Sequence, residues 1–139
     1  MRPSLRLISL VLVFSASYMM NAQHTFPEQR GEKVRYRVMM ETPKAYLSGI
    51  CILVNDSTEV KGSMFNEFGV SAMDFTYFPS KDKVKLHHVT KMLDKWYIRR
   101  VLKKDLRALI HNLKDGVCDY DDTKYKIRFN FTPMVEPEQ

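Results

Sequence analysis

The segment MFNEFGVSAMDFTYF, residues 64–78, decides the fold class. Gly69 allows a tight reversal of the chain within it, and residues 70–78 after the reversal follow the period-two pattern of a β-strand. Neither face of this strand is clearly polar, since one carries Met73, Phe75 and Tyr77 and the other carries Val70, Ala72, Thr76 and Phe78. A strand that is apolar on both faces needs cover on both. The segment therefore predicts a sheet with a core on one side and further apolar surface on the other.

The surrounding sequence predicts four more strands before any helix. Residues 33–41 alternate apolar and basic side chains, which is typical of a half-buried strand. Short breaks rich in Pro, Asn, Asp and Ser separate this segment from the next ones. We predict strands at 33–41, 45–54, 58–65, 70–78 and 84–89, and because the connections are short we expect an antiparallel meander.

The hydrophobic period changes to that of a helix after Asp94, which is a plausible N-cap. We predict a helix over residues 95–112, about 27 Å long, with Gly116 as its natural stop. One stripe of this helix is apolar: Ile98, Val101, Leu102, Leu106, Leu109, Ile110 and Leu113. The segments 117–120 and 124–131 flank a turn and predict a closing hairpin.

The width of the predicted sheet, compared with that of the single helix, indicates that the sheet is curved. Seven strands would span roughly 29 Å, whereas one helix about 10–12 Å wide covers only part of one face. The remaining apolar surface has to be covered by curling of the sheet, by a partner chain or by an apolar ligand. The predicted fold class is therefore α+β: a curved antiparallel sheet, or half-barrel, of six or seven strands packed on one main amphipathic helix.

The first 22 residues have the pattern of a secretory signal peptide. Arg2 and Arg6 precede an apolar run from Leu7 to Met20, and a small residue, Ala22, follows at the expected cleavage point. The run is 14 residues long, which is shorter than the roughly 20 residues that span a bilayer as a helix. An uncleaved anchor is the alternative, but we predict a cleaved, periplasmic protein without an integral membrane span. The predicted division is a signal peptide at 1–22, one α+β domain at 23–132 and an extended tail at 133–139.

Composition narrows the range of partners. Loss of Arg2 and Arg6 lowers Lys+Arg from 22 to 20 against 16 Asp+Glu, so the net charge falls from +6 to +4. This excess is too small for a nucleic-acid-binding arm, and we predict no nucleic-acid partner. The exposed side of the helix is basic and could contact an anionic surface through Lys95, Arg99, Arg100, Lys103 and Arg107, although such a face is more often simply solvated.

Two cysteines, Cys51 and Cys118, lie 67 positions apart. In an exported protein they could form a disulfide, which would stabilise the fold by about 4 kcal/mol in the chain-entropy model. They could equally be two small buried apolar residues, and the sequence leaves both alternatives open.

No arrangement typical of catalysis or metal binding occurs in the sequence. There is no Ser/His/Asp set, phosphate loop or carboxylate pair that predicts a reaction. His87 and His88 alternate across a strand and cannot easily share one metal ion. We therefore predict that the protein is not an enzyme and has no cofactor and no metal.

The order of elements resembles that of the periplasmic lipoprotein-localisation-factor superfamily. The resemblance covers about residues 33–113 and depends on the segments GVSAMDFTYF (69–78) and VLKKDLRALI (101–110). It implies an unclosed half-barrel around a hydrophobic cavity, as in carriers and receptors of outer-membrane lipoproteins. The chain is shorter than members of that superfamily and lacks the receptor's lipidated cysteine.

Two functions follow as expectations. The first is a small exported protein that holds a lipid, an acyl chain or an acylated protein in the half-barrel, in lipoprotein or envelope lipid handling. The alternative is a protein–protein interaction module of the envelope, without a ligand, that uses its spare apolar sheet face to bind an envelope protein or a second copy. For the first function the predicted cavity residues are Tyr36, Val38, Ile50, Ile52, Phe65, Phe75 and Tyr77.

Overall fold

The structure is a computed structural model, and it describes residues 24–134. The predicted signal peptide (1–22) and most of the predicted tail (133–139) lie outside the described residues. Within them the fold is a seven-stranded antiparallel curled sheet, a half-barrel, with one helix. The prediction of an α+β half-barrel is confirmed.

Seven strands and one helix follow one another along the chain. In order they are β1 (Lys33–Glu41), β2 (Tyr46–Asp56), β3 (Glu59–Asn66), β4 (Ser71–Phe78), β5 (Lys83–Val89), α1 (Trp96–Lys114), β6 (Asp119–Asp122) and β7 (Ile127–Pro133). In space the strand order is β5-β4-β3-β2-β1-β7-β6, so β2 is the central strand. The first five strands are the predicted meander, and the closing hairpin returns to pair with β1.

The antiparallel register defines two ends of the half-barrel. Four connections lie at one end: 42–45, 67–70, 90–95 and 123–126. We call these four connections, with the first residues of β2 and α1 beside them, the loop rim. The connections 57–58, 79–82 and 115–118 lie at the opposite end, where Tyr36 Oη donates to Thr25 O (2.6 Å) and Asn55 Nδ2 donates to Pro27 O (2.9 Å). The N-terminal segment is thereby fastened to the opposite end.

The helix lies closest to the two edge strands, β5 and β6, and so bridges the open side of the half-barrel. Its end follows the prediction: Gly116 has a φ of +83°, its N–H donates to Leu113 O (3.1 Å), and Val117 N–H donates to Asn112 O (2.8 Å). These two bonds form a Schellman motif, which needs a left-handed residue at Gly116.

The start of the helix differs from the prediction. The N-cap is Lys95, and no side chain caps the first turn. Asp94 lies one residue earlier, where its carboxylate accepts a hydrogen bond from Arg99 Nη1 (2.7 Å). The predicted N-cap is therefore wrong, because an ion pair with the second turn engages the Asp94 carboxylate.

The core lies between the concave face of the sheet and the helix stripe. β1 supplies every second residue to it, and Leu102, Leu106 and Leu109 come from the helix. Gly62 in β3 leaves space for the Phe75 ring of β4, since a Cβ at position 62 would overlap that ring. The missing side chain at Gly62 thus lets a large aromatic side chain lie flat on the sheet.

Candidate functional site

The seven residues predicted to line one cavity lie on two opposite faces of the sheet. Tyr36, Val38, Phe75 and Tyr77 are buried on the concave face, whereas Ile50, Ile52 and Phe65 lie on the convex face. The reason is the strand register. Tyr36 pairs with Cys51 rather than with Ile50 or Ile52, so the outward positions of β2 are those on either side of the cysteine. The structure does not bring the predicted set together.

The concave face is filled by the protein's own side chains. Tyr36, Phe75, Tyr77 and Phe131 are each at most 2% exposed. Two shallow hollows open instead near β1, β6 and β7, and Glu41, Asp121 and Arg128 line both of them. Their charged lining is unlike that of a site for an acyl chain.

The loop rim carries most of the exposed apolar side chains. Within residues 24–134, ten large apolar side chains are exposed, and seven of them lie at the rim: Tyr46, Phe68, Val70, Met92, Trp96, Tyr97 and Tyr125. Phe68 is 82% exposed and Trp96 is 76% exposed. Val117 is the one such residue at the opposite end among those described. The distribution is therefore strongly one-sided.

Charge follows the same asymmetry. The four rim connections contain two acids, Glu67 and Asp94, and five exposed lysines: Lys44, Lys91, Lys95, Lys124 and Lys126. The three connections at the opposite end contain Lys81 against Asp82 and Asp115. The rim is thus apolar at its tips and basic between them.

Local structure explains why the rim side chains point outward. In the turn after β3, the Asn66 side chain accepts hydrogen bonds from Phe68 N–H and Val70 N–H, both at 3.0 Å. Gly69 takes the positive φ of +79° that this turn requires. Trp96 and Tyr97 pack edge to face, with ring centroids 5.7 Å apart. Both side chains are exposed, so the aromatic pair at the helix start is presented to solvent and does not enter the core.

The predicted basic contact surface on the helix is only partly available. Arg99 is engaged by Asp94 and by Leu86 O (3.4 Å). Lys95, Arg100, Lys103 and Arg107 are exposed. Lys95 belongs to the rim, and the others continue from it along the outer side of α1.

A buried carboxyl pair joins the helix to the edge of the sheet. Asp105 is 0% exposed although it lies among the leucines of α1, and Asp122 of β6 is also buried. Burial and the hydrogen bond to Asp122 raise the pKa of Asp105 to about 8. For Asp122 burial acts in the upward direction, but the hydrogen bond from Asp105 and those from the Tyr125 and Lys124 backbone outweigh it and hold the pKa below its ordinary value. Asp105 is thus the protonated partner.

A second polar network fastens the opposite end of the helix. Lys114 Nζ donates to Tyr77 Oη (3.1 Å), and Tyr77 Oη donates to Asp82 Oδ1 (2.9 Å), which His111 Nε2 also contacts (2.6 Å). The hydrogen bonds from His111 and Tyr77 lower the pKa of Asp82. Burial, together with the bond to Asp82, raises the pKa of Tyr77 to about 12. The network is structural, because it joins α1 to the connection between β4 and β5.

The sequence left open whether Cys51 and Cys118 form a disulfide. In the structure both are free thiols. Cys51 faces the core on β2, and burial raises the pKa of its thiol. Cys118 precedes β6, where its backbone oxygen accepts a hydrogen bond from Phe131 N–H (2.7 Å). Strands β1 and β7 separate the two positions.

The sequence analysis did not identify the rim, because it considered the turns only as links between strands and not as a surface. A signal was present for two of the rim residues: Phe68 and Met92 are large apolar residues in predicted connections, where polar residues are usual. Tyr125 was predicted within the last strand (124–131), but that strand begins only at Ile127. Asp74 pairs in register with Ser63 and His88, and Arg35 lies three strands away, at about 14 Å.

Within residues 24–134, no group of three or more His, Cys, Asp or Glu side chains could hold a metal ion. In the same range, no helix is long and apolar enough to cross a membrane. Comparison with protein-family models, with curated proteins and with solved structures finds no match for this chain.

Proposed function

We propose that this protein is an exported, non-catalytic component of envelope lipid handling that binds the surface of a lipid bilayer through its loop rim. The single observation that supports the proposal is the rim itself: seven of the ten exposed large apolar side chains of the described residues, gathered at one end with five lysines.

The residue types at the rim suit a bilayer surface better than a protein surface. Trp and Tyr are the side chains enriched at the level of lipid head groups, and each Lys near an anionic surface contributes about 1 kcal/mol. The apolar tips are on three separate connections and on the first residues of β2 and α1, and the rim connections also contain the five lysines. A protein interface usually has a contiguous apolar centre, whereas head groups can rearrange around separate tips.

The half-barrel form also agrees with the resemblance to lipoprotein carriers and receptors, but the proposed contact differs from a lipid held inside. An acyl chain in the concave face would have to displace Phe75, Tyr77 and Phe131, each at most 2% exposed. The hypothesis of an internal ligand remains separate and has its own test. Native mass spectrometry of the protein isolated from its host would show a bound lipid if that hypothesis is right, and the bare chain if the rim alone meets lipid.

Trp96 is a built-in reporter, because the chain contains a single tryptophan. We expect its emission to shift to shorter wavelength when phosphatidylethanolamine vesicles containing phosphatidylglycerol are added. Brominated lipid should quench it. Phosphatidylcholine vesicles should give a weaker response that is less sensitive to salt, since exposed charges are screened.

Matched variants at the two ends make the test specific. Phe68→Ser should weaken vesicle binding, measured by sedimentation, by at least about tenfold, because one buried aromatic side chain contributes roughly 1.5–3 kcal/mol. Val117→Ser, at the opposite end, should leave it unchanged. Lys91→Glu with Lys95→Glu should reduce binding to anionic vesicles, and Lys81→Glu should not. Equal losses of vesicle binding for variants at the two ends would refute the proposal. So would a Trp96 emission spectrum that does not change when vesicles are added.

A further inference from the structure

The convex face carries an apolar row directly beside a basic row, and the two rows are in register. Ile50, Ile52 and Val54 occupy alternate outward positions of the central strand β2. On the neighbouring strand β1, the residue paired with each of them is basic: Arg37 with Ile50, Arg35 with Ile52 and Lys33 with Val54. We call these six residues the two-row strip.

The apolar row is accessible. Ile50 is 41% exposed, Ile52 and Val54 are half-buried, and Phe65 of β3 lies directly across from Ile50. Met39 at 40% exposed extends the apolar surface toward the rim. Apolar residues on the outer face of a central strand depart from the usual alternation of buried and polar positions in a half-exposed antiparallel sheet.

The basic row offers charges that a partner could meet. Within residues 24–134, neither Lys33 nor Arg37 forms a salt bridge, and both are exposed. On the other side of the apolar row, Lys61 is already paired with Asp56 (3.5 Å). Among the described residues on the two strands directly beside the apolar row, the positive charges outside a salt bridge therefore lie on β1.

The spacing of the strip fits a helix. Alternate residues of a strand are about 6.8 Å apart, and residues four apart on a helix rise about 6.0 Å. An apolar stripe on a helix can thus follow Ile50, Ile52 and Val54 over three contacts. Acidic residues along one side of that stripe would face Arg37 and Lys33.

We infer that the two-row strip is a docking surface for another protein, which presents an amphipathic helix with acidic residues along one side of its apolar stripe. A second copy of this chain is a poor occupant, because the outward positions of β1 from 33 to 39 and of β2 from 48 to 54 contain no acid. The inference does not depend on the proposed membrane contact, since the strip and the rim are different surfaces.

Photo-crosslinking in the native host tests this inference on the full chain. With a photoreactive amino acid in place of Ile50, we expect an adduct to one other protein, at a segment that combines apolar residues with several acids. Arg37→Glu should reduce the yield of this adduct by at least about tenfold, since reversal of an interface charge opposes the partner's acids. Lys85→Glu, an equivalent change on the exposed edge strand β5, should leave the yield unchanged. Replacing the partner's facing acid by Arg should restore the adduct with Arg37→Glu.

Other outcomes overturn the inference. Adducts only to copies of this chain would identify a self-association surface, and adducts only to lipid would extend the membrane contact onto the convex face. An adduct yield that Arg37→Glu does not change, or no adduct at all, would equally refute it. Vesicle sedimentation of Arg37→Glu is measured in parallel, and an unchanged value shows that the two surfaces act independently.

Discussion

Asp105 in α1 and Asp122 in β6 form a buried carboxyl pair between the helix and the edge of the sheet, and burial together with this neighbour raises the pKa of Asp105. Asp122 Oδ1 accepts the Tyr125 N–H (3.1 Å), and Oδ2 has no other partner among the described residues. Neither oxygen of Asp105 has a partner among the described residues either, so a hydrogen bond between the two carboxyl groups requires a proton on Asp105. A buried acid pair of this kind is stable only while one member stays neutral.

Stability should therefore depend on pH through Asp105. The pKa of this carboxyl rises from its ordinary 3.8 to about 8 on folding. Between these two values the folded protein binds a proton that the unfolded chain has released, so the free energy of unfolding falls as pH rises through the window. Urea unfolding at several pH values from 5 to about 8 measures the slope, which cannot exceed about 1.4 kcal/mol per pH unit for one group.

Asp105→Asn isolates this contribution. The amide keeps a donor for Asp122 and cannot ionise, so we expect a flatter profile and a gain of about 1–3 kcal/mol near pH 8. Asp119→Asn on the exposed side of β6 is the matched control for the change in charge. Parallel profiles for the two variants would show that Asp105 is not the titrating group.

The two faces of the sheet should respond differently to loss of an aromatic side chain. Phe75 is 2% exposed on the concave face, so Phe75→Ala should destabilise the protein by about 3–5 kcal/mol. Phe65 is half-buried on the convex face, so Phe65→Ala should cost only about 1 kcal/mol. Denaturant melts compare the two, and equal costs would contradict the assignment of faces.

Asp74 should tolerate neutralisation. It is half-buried on the convex face beside Ser63 and His88, far from the arginines of β1. Asp74→Asn should thus change the free energy of unfolding by no more than about 0.5 kcal/mol. A loss of about 3 kcal/mol or more would point to a buried ion pair in place of a solvated carboxylate.

The thiols provide a chemical check of the fold. Denatured, unreduced protein should react with two equivalents of a thiol reagent, because Cys51 and Cys118 are both free. In the native state Cys51 should react far more slowly, since burial keeps its thiol protonated. No reaction before reduction would mean that the two residues are bridged.

Much of the fold could be predicted because its signals are local. Each strand and the helix have a hydrophobic period that residues within about ten positions define. Gly69 and Gly116 mark a reversal and a helix end through their own backbone freedom. The order of elements, the antiparallel pairing and the need for a curled sheet all followed from these signals.

The contents of each face were decided by contacts between distant residues. The pairing of Tyr36 with Cys51 sets which residues of β2 face the core, and a shift of one residue would have exchanged Ile50 and Ile52 for the cysteine. The hydrophobic pattern could not fix this register, because β2 is apolar at consecutive positions and either face could have been buried.

The sequence by itself determined an α+β half-barrel with one basic amphipathic helix. Only the tertiary structure decided that the concave face is filled by side chains, that Asp105 meets Asp122, and that Phe68, Met92, Trp96 and Tyr125 come together at one end. The physical reason is chain reversal. Antiparallel strands bring connections that are tens of residues apart in sequence to the same end of the sheet. These connections form one surface only in the folded chain.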